Sequence, residues 1–469
     1  MNHEHFQDML DRLVGQSGVG QEVLGEVLAR VSLKAPEETS RVEISASNPA
    51  AHRAVDQRAI PQGTVSKAVK ALKHEGLLED GEKLLLTSDG RPLVPLRLGR
   101  RHAIAGVEVV QSSEQPRQVT TALLGLDGSR LLETTHEAVD SWDQVAGVIH
   151  RHVASLKRTC DRKRANRGLK PLRMFGVGIE VGSPVYNGEV MPHLSDGLKP
   201  PVRLAAELGR LFDADASFDQ PVPVVVENDV NALAVLAIHQ FRYADPDLVV
   251  VSVFDEGVGG GLVMDGRLRR GANGRAMEIG HLAIGFPPGQ EEPRNPRKPD
   301  AETDSAALLG FSAPCSCGHF GHVDTFAPPR RIQGMLGGVS LDQLSEIGTH
   351  DLEFEAAHDV FTRSGAALGR ALAHVSNTVN PSRIIVYLPD ALANPKPDTV
   401  ADAYLSAMRQ EAIRAFAAGT QPGYLTVQPL PALEGAKAAA VCVLESFIEH
   451  ALRLDGCTTT LRRTASTGS

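Results

Sequence analysis

No run of eighteen uncharged apolar residues occurs in this chain, so a hydrophobic helix spanning a bilayer is not expected. The opening stretch, MNHEHFQDMLDRL, is acidic and lacks an apolar core, so it is not expected to be a signal peptide. Cysteine is scarce. Five scattered cysteines in 469 residues make no disulfide framework; they fit a reducing cytoplasm, where two close together read first as metal ligands. Positive charge is not in excess either. A net charge of −9 excludes a protein basic over its whole surface, though not a small basic module on an acidic body. No short-period repeat stands out. What is abundant is apolar side chain, 42% of residues, enough to fill several cores.

Three textures follow one another. Residues 1–100 read as helices and then a hairpin. QEVLGEVLARV places Val23, Val27 and Val31 with Leu24 and Leu28 on one helical face. AIPQGTVSKAVKALKHEGLL predicts a second helix, with Pro61 in its first turn, Val65, Val69 and Leu72 on its apolar face, and Gly76 ending it. KLLLTSDGRPLVPLRLG reads as two short strands joined through Asp89-Gly90. Helix, helix with a polar face, then a two-stranded wing is the order of a winged helix-turn-helix. Its second helix offers Gln62, Thr64, Lys67, Lys70 and Lys73 to a DNA groove, and the wing offers Arg91. An ordinary solvated face would also carry such lysines. Against that, Pro61–Arg101 holds eight Lys/Arg and five Asp/Glu, positive within a negative chain. RVEISASNPAAHRAVDQRA, just before, is a poor compact helix and reads as an insertion.

From Ala103 the texture is α/β. AIAGVEVV, TALLGLDG, MFGVGIEVG, VPVVVEND, LVVVSVFD and RIIVYLPD are strand-like, with helical segments such as SWDQVAGVIHRHVASLKRTC and SGAALGRALAHVSNTVN between them; this alternation predicts doubly wound sheets. The expected division is 1–100, 101–230, 231–455 and a disordered tail, 456–469, with a mobile Pro-rich insertion at 287–305.

VVVENDVNALAVLA, then VVVSVFDEGVGGGLVMDGRLRRGANGRAMEIGHLAIGF, then CSCGHFGHVD, in that order, resemble the ROK family (repressors, open reading frames and sugar kinases). The resemblance runs from Ala103 to about His450, and the GRP wing ahead of it resembles the family's regulator branch. It implies an actin-like sugar kinase fold, two α/β lobes around a sugar cleft, preceded by a winged helix-turn-helix domain. It also implies that Asn228, Asp229, Glu278, His281 and Asp324 line the sugar site, Asp229 standing where kinases keep their general base. By themselves, Asn228 and Asp229 would read as a helix cap after a strand. In the family, three cysteines and the histidine of the GH pair hold one zinc. Here His281, Cys315 and Cys317 match, and His322 replaces the third cysteine, with His319 a spare candidate. A His2Cys2 site is chemically sound and, with all four positions taken by protein, structural; a pair of free buried thiols is the plainer alternative. Asp324 stands where the family has glutamate, and His193 where it usually has asparagine.

Three elements that bind nucleotide in the family's kinases are altered. GVEVVQSSEQ has no glycine after Glu108, Asp255 and Glu256 stand in the second phosphate loop beside Gly257, Gly259, Gly260 and Gly261, and Leu388 and Pro389 replace a Gly-Gly pair. The expectation is therefore a sensor without a catalytic residue, Asp229 being a vestigial base: a cytoplasmic, sugar-responsive regulator, a repressor, binding an operator as a homodimer or dimer of dimers. The alternatives are an active ATP-dependent sugar kinase with an appended DNA-binding domain, and a ROK regulator governed by a partner protein.

Overall fold

The computed structural model describes residues 2–32, 34–35, 38–46, 59–81, 85–86, 92–110, 116–192, 200–241, 247–284, 314–414, 423–430 and 434–452. Arg91, His193, the Asp89-Gly90 turn, the 287–305 segment and the tail 456–469 lie outside them. No described helix is long and apolar enough to cross a membrane.

The amino-terminal region is built from α1 (Asn2–Ser17), α2 (Gln21–Ser32), a short α3 (Arg41–Ser45) and α4 (Gln62–Glu75). In α4 the buried residues are Val65, Ala68, Val69, Ala71 and Leu72, which is the apolar stripe of a 3.6-residue period. Gly76 closes the helix in the left-handed conformation, φ 81°, its N–H donating to Leu72 and Lys73 carbonyls. Pro61 stands at the cap, one residue ahead of the first turn where it was expected. α3 is held by a capping box between Ser40 and Glu43. Four short strands follow rather than two: β1 (Leu78–Asp80), β2 (Leu85–Leu86), β3 (Pro92–Leu93) and β4 (Leu96–Leu98). β1 pairs with β4 and β2 with β3, both antiparallel, which brackets the expected turn. This arrangement is compatible with a DNA-binding domain.

The body is a pair of five-stranded mixed sheets. In the first, β5 (His102–Val110), β6 (Arg117–Gly125), β7 (Thr135–Val139), β8 (Arg173–Val181) and β11 (Val224–Asn228) lie in the order β11-β8-β5-β6-β7. A small hairpin, β9 (Val185–Tyr186) and β10 (Glu189–Val190), follows β8. In the second sheet, β12 (Leu248–Val253), β13 (Val258–Met264), β14 (Arg267–Leu268), β15 (Arg383–Leu388) and β16 (Leu425–Pro429) lie in the order β14-β13-β12-β15-β16. Each sheet is an antiparallel three-strand meander whose first strand also carries two parallel strands on its other side. The same plan occurs twice: each sheet has helices on both faces, as the alternation predicts, and its strands are mixed in direction.

Helices α5 (Trp142–Ala165) and α6 (Leu204–Asp213) cover one face of the first sheet, burying Val145, Ile149, Val153, Leu208 and Phe212 against Ala105, Val107 and Ile179. The second sheet has α8 (Pro329–Met335), α9 (Leu341–Ser345), α10 (Phe354–Val379), α11 (Asp390–Ala393) and α12 (Val400–Arg414) on its outer side. Between the sheets lie α7 (Asp229–Phe241) and α13 (Glu434–Leu452), which share a core containing Val230, Ala234, Val250, Ile385, Ala438 and Cys442.

α13 binds three parts of the chain together. A Cβ on Gly106 would lie 1.7 Å from the Ala436 carbonyl oxygen, and one on Gly178 1.8 Å from that of Ala439, so the helix backbone rests directly on bare strand. At its far end Phe447 packs edge-on to Phe6 of α1 (5.5 Å) and Phe175 of β8 (5.4 Å). His450 is 2.9 Å from Gln7, and the core of the amino-terminal region runs through α13 into the first sheet without a break.

Candidate functional site

The Cys/His loop closes on itself before it closes on anything else. Cys315 N–H donates to His319 O and Gly318 N–H to Cys315 O, both at 2.8 Å, with Gly318 at φ 85°. This tight turn brings the two thiols toward one point. An isolated bridge pairs His322 with Ala283, and Val323 N–H reaches Leu282 O at 3.2 Å, which lays the loop along the strand leaving the 3-10 turn Ile279–His281. As a result His281 Nδ1 stands 3.4 Å from Cys315 Sγ, and His322 Nδ1 3.3 Å from Cys317 Sγ. One donor atom from each of His281, Cys315, Cys317 and His322 lies within 4.8 Å of the others. Bonds of about 2.0–2.3 Å in a tetrahedral site require donor separations of about 3.3–3.8 Å. The four residues can hold a metal ion with little adjustment. His319, the spare, is exposed, stacks on His322 at 5.8 Å and is outside the four-residue group.

The ENDVN turn sits where β11 passes into α7. Asn228 Oδ1 accepts from Asn231 N–H at 3.3 Å, so the plain capping role is present, and its Nδ2 donates to Ser183 O at 3.4 Å. Asp229 Oδ1 accepts from Val230 N–H at 2.7 Å, while burial pushes its carboxyl up to about 7 against that bond. Glu227, which sequence reasoning passed over, anchors the turn. It is 1% exposed, accepts from Asn228 N–H and Asn231 Nδ2 at 3.1 Å each, and pairs with Arg270 at 2.6 Å.

Two further glutamates were not recognised as a set. Glu108, Glu180 and Glu227 stand in register on β5, β8 and β11. Glu180 is 6% exposed and faces the first turn of α13, where a Cβ on Gly435 would lie 2.0 Å from its Oε1 and 2.9 Å from Glu108 Cδ. Burial, then the charges of Glu108 and Asp229, hold the Glu180 carboxyl well above the usual range; burial also raises Glu108. Among the described residues no Lys or Arg pairs with either.

The glycines expected to cradle phosphates are used differently. Gly259, Gly260 and Gly261 are residues of β13, opposite Ser252, Val251 and Val250. A Cβ would lie 2.4 Å from Val230 Cγ2 at Gly259, 2.6 Å from Met277 O at Gly260 and 2.8 Å from Ala234 Cβ at Gly261. They let α7 and the loop before Ile279 close on the strand. Only Gly257 lies in the turn, with Phe254 N–H bonded to its carbonyl at 2.9 Å. Beside it Glu256 pairs with Arg330, and Asp255 O accepts from Arg330 N–H at 3.0 Å. Asp324 also belongs here: its Oδ1 accepts from Val258 N–H at 2.8 Å and crowds Gly280. That bond ties the β12–β13 hairpin to the 3-10 turn Val323–Thr325 after the Cys/His loop, which lies against Gly280 of the turn carrying His281.

An open groove of about 310 Å³ is lined by Arg275, Glu278, His281, Cys317 and His322. Of the expected ligand residues it brings together Glu278 and His281; Asn228, Asp229 and Asp324 are not in its lining. Arg275, unmarked in the sequence, donates to Pro192 O at 3.3 Å and lies 3.9 Å from Glu278. On the amino-terminal region, Gln62, Lys67 and Lys70 are exposed along α4, Thr64 is half-buried, and Lys73 pairs with Asp80.

Two lobes of one strand order, a carboxylate turn at the head of the helix between them, and a Cys/His loop clamped to a Glu-Ile-Gly-His turn make up a two-lobed, actin-like α/β fold. Residues 207–411 match the ROK family, and the chain carries a ROK family domain. Over 185 residues it is 27% identical to a glucokinase of Halalkalibacterium halodurans, and over 218 residues 25% identical to an N-acetyl-D-glucosamine kinase of Salmonella newport. These stretches are 35% and 45% of this chain, and the chain spans 48% and 65% of the relatives' lengths. A crystal structure described as a ROK family transcriptional regulator, homologue of the E. coli MLC protein, superposes with a TM-score of 0.61 at 19% identity, covering 92% of this chain and 97% of that one. At that identity the likeness is one of fold.

Proposed function

We propose that this chain is a sugar-responsive, DNA-binding transcriptional regulator, a repressor, whose cleft binds its ligand without phosphorylating it. The carrying observation is the β12–β13 hairpin. A kinase needs a glycine loop of free backbone N–H groups to receive a triphosphate. Here Gly259, Gly260 and Gly261 are packed in β13 against α7 and the loop before Ile279, and Asp255 and Glu256 occupy the turn beside Gly257. The sugar side keeps hydroxyl-binding groups: Asn228 and Asp229 on one lobe, Glu278 and His281 on the other, with Asp324 holding the hairpin between them. Carboxylate and amide oxygens accept from sugar hydroxyls, and the imidazole or Arg275 adds a donor. The metal is zinc, bound by His281, Cys315, Cys317 and His322; it fixes the position of His281 and the Glu278 turn and takes no part in chemistry. Gln62, Thr64, Lys67 and Lys70 of α4 read an operator, and two copies of the chain match its two halves.

The ligand acts by favouring one arrangement of the lobes. A coupling of about 1–3 kcal/mol changes DNA affinity about 5–150-fold. Fluorescence anisotropy on DNA from upstream of the coding sequence, with a panel of sugars and sugar phosphates, tests this. A several-fold shift by one sugar without ATP is expected; DNA binding indifferent to the whole panel would turn attention to a partner protein.

One observation favours the alternative of an active kinase. A carboxyl raised to about 7, as Asp229 is, is suited to taking a hydroxyl proton. If ATP-dependent turnover of any hexose were measured and Asp229→Asn abolished it, the sensor reading would fall.

A further inference from the structure

The far end of α5 and the turn after it carry positive charge that nothing above uses. Residues 157–173 hold eight Lys/Arg and one Asp in a chain of net charge −9. Three of the eight are occupied. Lys157 is buried on Asp161 at 2.7 Å, Arg173 lies 3.8 Å from Glu75, and Arg164 donates to Lys170 O at 2.8 Å and Arg100 O at 3.3 Å. The other five, Arg158, Arg162, Lys163, Arg167 and Lys170, are exposed, and among the described residues no carboxylate pairs with them. A helix end favours cations in its last turn, which accounts for Arg162 and Lys163. It does not account for Arg167 and Lys170, which lie beyond the helix, or for Arg158, a turn further back.

The location gives the charge its meaning. Arg173 N–H bonds Arg101 O at 2.9 Å, and Arg164 bonds Arg100 O, so the cluster rests on the segment joining the amino-terminal region to the body. The Arg101 side chain in turn lies 3.7 Å from where a Cβ of Gly76, the cap of α4, would stand. The cluster therefore adjoins the end of the helix that carries Lys67 and Lys70, whose fourteen residues span about 21 Å, less than the roughly 34 Å of one turn of B-form DNA.

We infer that the end of α5 is a second, sequence-independent contact to the phosphates of duplex DNA flanking the site read by α4. This rests on the proposed DNA-binding function and extends it to a surface of the ROK body. The side chains suit such a contact, being flexible cations that displace counterions without reading base edges.

The test uses the full chain and two duplexes, one trimmed to the protected core of the upstream site and one with about 10 base pairs of flank on each side. Anisotropy is read from about 50 to 300 mM salt, comparing the wild type with an Arg162→Ala, Lys163→Ala, Arg167→Ala variant and with a Lys67→Ala, Lys70→Ala variant. The wild type is expected to bind the longer duplex several-fold more tightly. Its log affinity should also fall more steeply with log salt, by about 0.9 for each added phosphate contact. The α5 variant should lose both differences while keeping its preference for the upstream site over scrambled DNA; the α4 variant should weaken binding to both lengths. An α5 variant with unchanged melting that keeps the length advantage and the steeper slope overturns the inference and leaves the DNA-binding function standing. Failure of the wild type to bind either duplex removes the DNA-binding function and this inference together.

Discussion

At Glu180 a carboxyl is held beside Glu108 and Asp229 and against the start of α13, and all three are raised from their ordinary values by burial. The fold keeps these protons longer than the unfolded chain does, so the stability they contribute is full below the unfolded values near 4 and is lost as pH rises through the raised ones. Glu180→Gln should therefore leave the melting midpoint almost unchanged at pH 5 and raise it at pH 8, by about 2–4 °C for each kcal/mol relieved. Calorimetry at the two pH values checks this, and equal shifts at both would contradict it. The metal centre makes a second prediction among single residues. Cys315→Ser should bring bound zinc below half an equivalent by elemental analysis, while His319→Ala, outside the four-residue group, should leave it unchanged. Loss of metal in both variants would mean that His319 is a ligand.

Among the elements, α13 does the most to connect parts of the chain that are distant in sequence. It begins at the buried carboxylates, lies on Gly106 and Gly178, and ends against α1 and α2, where a Cβ on Gly25 would lie 2.8 Å from Ala451 Cβ. Phe447 is 1% exposed between Phe6 and Phe175. Phe447→Ala should cost about 3–5 kcal/mol and weaken the join between the amino-terminal region and the body. The expected result is an added low-temperature step in the calorimetric trace, with the later transition of the second lobe unmoved. A single transition shifted as a whole would show that the module and body unfold as one unit regardless of this ring. β13 carries a related lesson. Its Gly-Gly-Gly run resembles a loop because glycine is depleted in strands, yet here it is the packing surface for α7.

For the whole molecule, the proposed ligand lies between groups from both lobes, with α7 and α13 packed between the two sheets. A sugar held this way should raise the melting of both lobes together. At a hundred times its dissociation constant the gain is about 2.7 kcal/mol. Calorimetry with the sugar identified by the DNA-binding assay checks it: a shift confined to one transition would put the ligand on one lobe alone and remove the basis for lobe closure. The acidic body and the basic stretches at α4 and the end of α5 also belong to this scale. Net charge of one sign with local charge of the other orients a polyanion onto one side of the molecule.

Much of this was written in local pattern. Six apolar runs became β5, β6, β8, β11, β12 and β15, and the Val65, Val69, Leu72 stripe became the buried face of α4, because burial of one face imposes a short period on the sequence. Cys315, Cys317 and His322 could be grouped because they are neighbours in the chain, and His281 because the family resemblance supplied the distant fourth ligand. THEAV, LTVQP and VGGGLVM, which form β7, β16 and β13, carry too little apolar periodicity to be read as strands. The doubled strand order, the placing of α13 against three regions, and the row Glu108, Glu180 and Glu227 were decided only in three dimensions. Strand register and helix docking come from burial among residues far apart in the chain, and no local period records which of them will meet.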